Sequence, residues 1–337
     1  MIAPIAMLSA YDTEDALGTA VREYLGPSAR LESWSQRPLS EHGKHPVARY
    51  DLRALPVGAS RSRPCRWVGK LFASDLDARR EASTLRRLWP ADREGRRSLV
   101  IPRLISYVPR HRLLLMSYEP GGSIVSAIAR GPERALRVIG RAFAALHAAP
   151  LDCDAVLSAD AALSDLRQRI PELCTKVPAE AAFLEDLLAT LKRRKPWGPI
   201  RSAFLHGDLG PIHMVWRAGH VVVLDFEKSG RGDAALDLGY FLAQLRRFSL
   251  RKPGRLPDFP GLRGATLDAY RRWAAPDPAL SERVRWYESV TLLRKIHYLA
   301  CNWTRHPDHE TIRRHWAEAL RLLEHLPRVL ELHAGQA

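Results

Sequence analysis

The stretch that decides the fold is residues 204–227, which read FLHGDLGPIHMVWRAGHVVVLDFE. Apolar runs lie on both sides of the turn residues at positions 217–220, a pattern that predicts a β-hairpin. Asp208 precedes the first strand and Asp225 ends the second. Because a hairpin brings these ends together, we expect the two carboxylates to be neighbours. Close carboxylates repel unless a divalent cation or a proton lies between them, so the stretch predicts a Mg²⁺ site beside a general base.

A second candidate pair lies earlier in the chain. Helical periodicity over residues 75–89 places Glu81 on the apolar face of a helix. A buried charge is unfavourable unless a cation meets it. Lys70, in the strand-like segment 67–72, is the expected partner, and the pair would hold its ammonium at a phosphate. An isolated structural ion pair is the alternative explanation for the same residues.

The remaining pattern predicts an α+β chain of two lobes. With 337 residues, 46% hydrophobic and 26% charged, the composition is that of a globular protein. A helix capped by Asp12 is predicted over residues 12–25, and helices dominate after a Glu-Pro-Gly-Gly break at 119–122. We therefore predict a small β-rich N-terminal lobe over residues 1–119 and a larger, mainly helical C-terminal lobe over 120–337. The strand-like runs of the first lobe lie at 31–34, 47–52, 66–72, 99–101, 104–108 and 113–118.

Composition also excludes several classes of protein. The 52 basic and 37 acidic residues give a net charge of +15, which could indicate a nucleic-acid partner. The arginines are scattered among acidic and apolar residues, however, so no nucleic acid is expected as a partner. The four cysteines form no CxxC motif, which argues against a zinc ribbon or a disulfide framework and predicts a cytoplasmic protein. No apolar run approaches the length of a membrane span, so no membrane partner is expected.

The densest motifs together resemble a known family. LHGDL at 205–209, LDFE at 224–227, GD at 232–233 and DL at 237–238 are similar to the aminoglycoside phosphotransferase/choline kinase-like family. That resemblance implies a protein-kinase-like bilobal fold. It also implies an ATP- or GTP-dependent phosphotransferase that moves the γ-phosphate to a hydroxyl of a small molecule, such as an antibiotic, a sugar, an amino alcohol or a biosynthetic intermediate.

The resemblance assigns nucleotide-binding roles in the N-terminal lobe. Lys70 and Glu81 match the family's ATP-positioning lysine and helix glutamate. Met116 and Tyr118 lie in the segment 114–121, which matches the hinge that meets adenine. Gly43 is the one glycine of residues 40–45, which fall where the phosphate-covering loop is expected but match it poorly.

Catalytic roles follow in the same way for the C-terminal lobe. Asp208 would accept or orient the proton of the substrate hydroxyl, and Asp225 would hold Mg²⁺ at the nucleotide phosphates. Asp237, in an otherwise apolar helix, is expected to anchor the backbone of the catalytic loop. His206 is expected to brace that loop rather than to exchange protons.

His213 departs from the family pattern, because the family's second metal ligand at this position is Asn. Mg²⁺ prefers oxygen ligands, whereas imidazole suits softer divalent metals. His213 could bind a metal, with Mn²⁺ favoured. It could instead donate to phosphate while Asp225 holds Mg²⁺. The third possibility is a weakened kinase that binds nucleotide without turnover.

The acceptor and the activity are less well defined by sequence. From position 246 onward the chain has 17 basic and 10 acidic residues, which argues against a polycationic acceptor. Aromatic residues in the same region could line a pocket for a neutral or acidic compound, or could pack in the core. The alternative functions are a catalytically weak kinase-like module that regulates a partner and a basic nucleic-acid binder. The sequence leaves the oligomeric state open.

Overall fold

The structure is a computed structural model that describes residues 8–40, 45–93, 99–196, 198, 200–302 and 308–331. Gly43, predicted to contact phosphate, lies outside these residues. The chain divides into two compact units. Unit 1 comprises Met1–Gly121 and Val222–Glu227, and unit 2 comprises Gly122–Val221 and Lys228–Ala337. The short segment Val222–Glu227 thus places Asp225 in unit 1, although it lies about a hundred residues beyond the rest of that unit.

Unit 1 is built on a five-stranded sheet in the order β1-β2-β3-β5-β4. Its neighbouring strands are antiparallel throughout. Side chains of β2 alternate between buried and less buried, as expected for a strand with one face on a core. The strands are β1 (Arg30–Ser40), β2 (Val47–Leu55), β3 (Arg63–Leu71), β4 (Leu104–Val108) and β5 (Leu113–Ser117).

The described part of unit 1 also contains two α-helices, α1 (Ala10–Leu25) and α2 (Asp75–Arg93), and a short 3-10 helix at Pro109–His111. The N-cap of α1 is Ser9 rather than the predicted Asp12, because the Ser9 hydroxyl accepts the Asp12 N–H at 3.1 Å. The strand predicted at 99–101 is reduced to one parallel bridge between Val100 and Val222. That bridge ties the returning segment to unit 1.

Unit 2 is mainly helical, as predicted for this part of the chain. Helix α7 packs against α9, α9 packs against α10, and α4 packs against α8. None of the helices in the described residues combines the length and the apolar character that crossing a membrane requires. The helices are α3 (Ile124–Arg130), α4 (Pro132–His147), α5 (Ala159–Lys176), α6 (Ala181–Arg193), α7 (Ala234–Arg251), α8 (Phe259–Arg271), α9 (Leu280–Cys301) and α10 (His309–Glu331).

Short strands interrupt the helices where the hairpin is predicted. β9 (Met214–Arg217) and β10 (His220–Val223) are hydrogen-bonded neighbours, and their turn uses positive φ angles of 47° at Ala218 and 84° at Gly219. The predicted hairpin is therefore formed. A second ladder, which the sequence did not predict, pairs β8 (Ser202–Leu205) with β11 (Gly230–Asp233). The remaining strands are β6 (Gly122–Ser123) and β7 (Val156–Leu157).

Candidate active site

Lys70 occupies the middle of the sheet in unit 1. In β3 it lies opposite Val47 of β2 and Leu114 of β5, so strands flank it on both sides. The residue is only 5% exposed. Its Nζ donates to Glu81 Oε2 at 2.8 Å and to Asp225 Oδ1 at 2.7 Å. The ion pair predicted between Lys70 and Glu81 is present, and Asp225 joins it.

The surroundings keep this ammonium charged. Burial alone would lower the pKa of Lys70, but the carboxylates of Glu81 and Asp225 outweigh it and raise the pKa above its ordinary value. Burial raises the pKa of Glu81, and the ammonium of Lys70 opposes that effect. The lysine is thus a fixed positive charge within a group of carboxylates.

Glu227 also belongs to this group, although the sequence motifs predict no role for it. Its Oε2 lies 3.4 Å from Lys70 Nζ and 3.0 Å from His45 Nε2. Its position two residues after Asp225 is the sequence signal that could have identified it. Glu81, Asp225 and Glu227 each offer a carboxylate oxygen, and these oxygens lie within 4.8 Å of one another. Oxygen donors are the ligands that Mg²⁺ prefers.

The backbone of Asp225 has an unusual conformation. Its φ of +65° lies in the left-handed region, where residues other than glycine are uncommon and Asp is among the better tolerated. Backbone strain of this kind is concentrated at functional sites. The chain turns here directly after β10, and the turn positions the carboxylate on Lys70.

The predicted adenine-binding residues lie at the end of β5. Met116 is 7% exposed and is paired with Val68 in the sheet. The N–H of Tyr118 donates to the carbonyl of Arg66 at 3.0 Å. The Tyr118 amide is therefore already used within the unit, and the adenine contact of this segment stays a prediction.

The Asp208 loop of unit 2 is anchored by a buried carboxylate. Asp237 is fully buried at the start of α7, and it accepts the N–H of His206 at 2.8 Å and that of Gly207 at 2.9 Å. His206 is also fully buried, and its Nδ1 accepts the Asp208 N–H at 3.2 Å. The predicted roles of Asp237 as an anchor and His206 as a brace agree with these contacts. The loop is consequently fixed before any ligand binds.

Gly207 lets a second segment approach this loop. Its φ is +78°, and a Cβ at this position would lie 2.2 Å from the Lys228 carbonyl oxygen, a distance that no side chain tolerates. This close approach brings the Lys228 side chain to the loop, where Nζ donates to Asp208 Oδ2 at 2.6 Å. Lys228 is a site residue that the sequence analysis missed. The scarcity of lysine, eight in the whole chain, is the signal that could have drawn attention to it.

The carboxylate of Asp208 is held in its ionised form. Burial alone would raise its pKa, but the Lys228 ammonium and the nearby Tyr240 hydroxyl lower the pKa below its usual range. Burial and the Asp208 charge in turn raise the pKa of Tyr240. Asp208 Oδ1 is buried and accepts no hydrogen bond from the residues that the structure describes. This oxygen can therefore still accept a hydrogen bond, and the role of Asp208 as a base stays a prediction.

His213 stands beside the same loop. Its Nδ1 lies 2.8 Å from the Asp208 carbonyl oxygen, and since a carbonyl can only accept, Nδ1 carries the proton. In the neutral ring the lone pair is then on Nε2. The ring is stacked on that of His206, with centroids 5.8 Å apart. Asp208 and His213 are thus brought together in unit 2, as Lys70, Glu81 and Asp225 are in unit 1.

Comparison with solved structures shows that this architecture is the protein-kinase-like fold. The ADP-bound aminoglycoside phosphotransferase APH(2'')-Ib matches with a TM-score of 0.60 and 16% identity, over 95% of this chain and 99% of that one. A choline/ethanolamine kinase family protein from Mesorhizobium loti matches with a TM-score of 0.58 and 17% identity, over 94% and 98%. The amicoumacin kinase hAmiN, in complex with AMP-PNP and Ca²⁺, matches with a TM-score of 0.56 and 13% identity, over 93% and 94%. At such identities the likeness shows the fold.

The family of the chain is identified from its sequence. Residues 50–287 match the phosphotransferase enzyme family, and the chain belongs to it. No curated protein sequence matches the chain. The predicted kinase-like α+β fold and the predicted class, a small-molecule kinase, are confirmed.

Proposed function

We propose that the protein transfers the γ-phosphoryl group of ATP or GTP to a hydroxyl of a small molecule, with Asp208 as the base. The main support for this proposal is the buried ammonium of Lys70. Its Nζ donates to Glu81 Oε2 at 2.8 Å and to Asp225 Oδ1 at 2.7 Å. A cation fixed in this way can neutralise phosphate oxygens without reorganising during the reaction.

ATP is the favoured donor. The similar structures include an aminoglycoside phosphotransferase with ADP and an amicoumacin kinase with AMP-PNP. We propose that the N-terminal lobe, residues 1–119, binds the nucleotide and that the segment around Met116 and Tyr118 meets the adenine. We also propose a cytoplasmic location, which the four scattered cysteines without a CxxC motif support.

The carboxylates around Lys70 fit a divalent cation. Asp225 and Glu227 would hold Mg²⁺, because both offer the oxygen donors that this ion requires. When bound, the ion supplies charge neutralisation of the nucleotide phosphates. Lys70 contributes a second positive charge, and Glu81 keeps that charge in place.

The acceptor side is assigned to Asp208. Its Oδ1 would accept the proton of the substrate hydroxyl as the hydroxyl oxygen forms a bond to the γ-phosphorus. The bond between that phosphorus and the bridging oxygen breaks, and the nucleoside diphosphate leaves with the electron pair. Phosphoryl transfer depends mainly on positioning and charge stabilisation, so an anchored loop and an ionised base are the contributions that this chain can make.

For His213 we propose the role of ligand or phosphate contact through Nε2. The hydrogen bond from Nδ1 to the Asp208 carbonyl fixes the tautomer and directs the other nitrogen away from the loop backbone. As a ligand, the imidazole would favour Mn²⁺ over Mg²⁺. As a phosphate contact, Nε2 would have to carry a proton as well, so that it donates to a phosphate oxygen, and the metal preference would then depend on the carboxylates.

The test is nucleotide consumption by the purified protein in the presence of hydroxylated compounds, with Mg²⁺ or Mn²⁺. We expect diphosphate release that needs both a divalent cation and an acceptor, and that is lost in Asp208→Asn and Asp225→Asn. Asp154→Asn, which removes an exposed carboxylate outside the site, is the matched control. Nucleotide binding without turnover under either metal would contradict the proposal and favour the weak kinase-like module.

A further inference from the structure

A stripe of polar side chains on α7 begins at the catalytic loop. Tyr240, Gln244, Arg247 and Arg251 follow one another at spacings of 4, 3 and 4 residues, so they share one face of the helix. The loop packs on the first of them, because a Cβ on Gly210 would lie 3.2 Å from the Tyr240 ring and 3.5 Å from the Gln244 side chain. The two guanidinium groups occupy the next turns of the helix along this stripe.

Helix α10 adds one carboxylate to this surface. Glu318, which is 6% exposed, accepts a hydrogen bond from Arg247 Nε. Its other oxygen lies 3.6 Å from Arg251 Nε. One carboxylate is therefore shared between two guanidinium groups, and it cannot neutralise both of them.

Helix α9 adds a third cation. Lys295 is partly buried, and its Nζ lies over the Tyr298 ring at 4.2 Å from the centroid. No carboxylate of the described residues comes within salt-bridge distance of this ammonium. Burial and the neighbouring Arg247 lower the pKa of Lys295 to about 8, with Glu318 and Asp208 acting in the opposite direction. The ammonium is thus within electrostatic range of the proposed base.

The charges of this surface do not balance. Arg247, Arg251 and Lys295 contribute three positive charges, whereas Glu318 contributes one negative charge. The Asp208 carboxylate has its own cation in Lys228, 2.6 Å away. A polycationic acceptor would be repelled here, and an anion would provide the missing counter-charge for Lys295.

On the basis of the proposed function, we propose that the acceptor is an anionic hydroxy compound. Its carboxylate or phosphate group binds Lys295 together with the guanidinium groups of Arg247 and Arg251, and its hydroxyl faces Asp208. A partly buried ammonium without an ion pair is unfavourable in the free protein, and binding an anion relieves that cost. The same surface selects against aminoglycosides and other polyamines.

The inference is tested with hydroxylated compounds sorted by charge and matched in structure. Glucuronate, glucose and glucosamine form one set, and glycerate, glycerol 3-phosphate and glycerol form a second. The second set also separates a carboxylate from a phosphate as the recognised group. We expect the anionic members to have the highest kcat/KM, by roughly 10-fold or more over the neutral ones, as a charge-assisted contact provides.

Variants of Lys295 test whether the preference for anionic acceptors depends on this cationic surface. Lys295→Met is expected to lower kcat/KM roughly 10- to 100-fold for the anionic compounds, with little change for the neutral ones. Lys295→Arg should keep the preference, and Lys295→Glu should move it towards the cationic member. Lys192→Met, at an exposed position on α6, is the matched control.

The outcomes separate this inference from the proposed function. Phosphorylation of neutral or cationic compounds in preference to anionic ones overturns the inference and leaves the phosphotransferase proposal intact. An anionic preference that Lys295→Met and Lys295→Glu do not change also overturns it. Failure to phosphorylate any compound, with ATP still bound, overturns both.

Discussion

Replacing Lys70 with Met removes the cation around which three carboxylates of unit 1 converge. Glu81 is 1% exposed, and Asp225 and Glu227 lie 2.7 and 3.4 Å from the lysine nitrogen. Removing one partner of a buried ion pair costs about 3–5 kcal/mol, because an uncompensated charge remains in the interior. With three carboxylates left together, we expect the free energy of unfolding to fall by an amount near the upper end of that range.

The companion change Glu81→Gln should behave differently. It removes a carboxylate but leaves the ammonium with Asp225 and Glu227, so the expected loss is about 1.5–3 kcal/mol, the value of a hydrogen bond to a charged group. In the double variant the methionine faces one carboxylate fewer. Its destabilisation should therefore be smaller than the sum of the two single changes, by about 0.5–3 kcal/mol.

The measurement is urea denaturation of the four proteins, followed by the fluorescence of tryptophans such as the buried Trp67 of β3. Titration calorimetry with ATP and Mg²⁺ accompanies it. Lys70→Met should lose nucleotide affinity, and Glu81→Gln should retain more of it, because the ammonium is still present. The role of Lys70 and its carboxylates would be refuted if the destabilisation of the double variant equalled the sum of the two single changes. It would also be refuted if Lys70→Met bound ATP with unchanged affinity.

Three further changes have defined outcomes. Gly207→Ala should lower the free energy of unfolding by at least about 2 kcal/mol in urea denaturation, since its φ is +78° and the new Cβ would overlap the Lys228 carbonyl; an unchanged midpoint would contradict this. The pKa of Lys295 is about 8 in the folded protein, below the ordinary value of 10.5. Between these two pH values the unfolded chain binds more protons, so the free energy of unfolding rises with pH. Below pH 8 the buried ammonium therefore lowers the free energy of unfolding. Lys295→Met should consequently be at least as stable as the natural protein at pH 7, with a difference that shrinks by pH 10; a large loss at pH 7 would show a structural role instead. His213→Asn replaces imidazole with an oxygen donor and should raise the ratio of Mg²⁺- to Mn²⁺-supported activity, whereas a fixed ratio would exclude His213 as a ligand.

Local patterns were enough to predict much of the two clusters. Helical periodicity placed Glu81 on a buried face, and the rule that a buried carboxylate needs a cation identified Lys70. The HGD motif and the hairpin pattern located Asp208 and its loop, and the lone acid of an apolar helix identified Asp237 as its anchor.

The remaining site residues depend on contacts that no local pattern encodes. Lys228 reaches Asp208 because β8 pairs with β11 and because Gly207 leaves room for a carbonyl oxygen. Each of those strands has four residues, too few for a periodic signal. Lys295 joins the same surface only through the packing of α9 against α7 and α10.

The most direct test of the account is the identity and rate of product formation when Asp208 alone is changed. Phosphorus NMR of a reaction with ATP, a divalent cation and the preferred acceptor should show a new phosphomonoester with the natural protein and with Asp154→Asn. Asp208→Asn should bind ATP with unchanged affinity and form that product roughly 100- to 10,000-fold more slowly, the contribution of a general base. Equal rates for Asp208→Asn and Asp154→Asn, or inorganic phosphate as the sole product, would contradict the assignment of Asp208 as the base of an O-phosphotransferase.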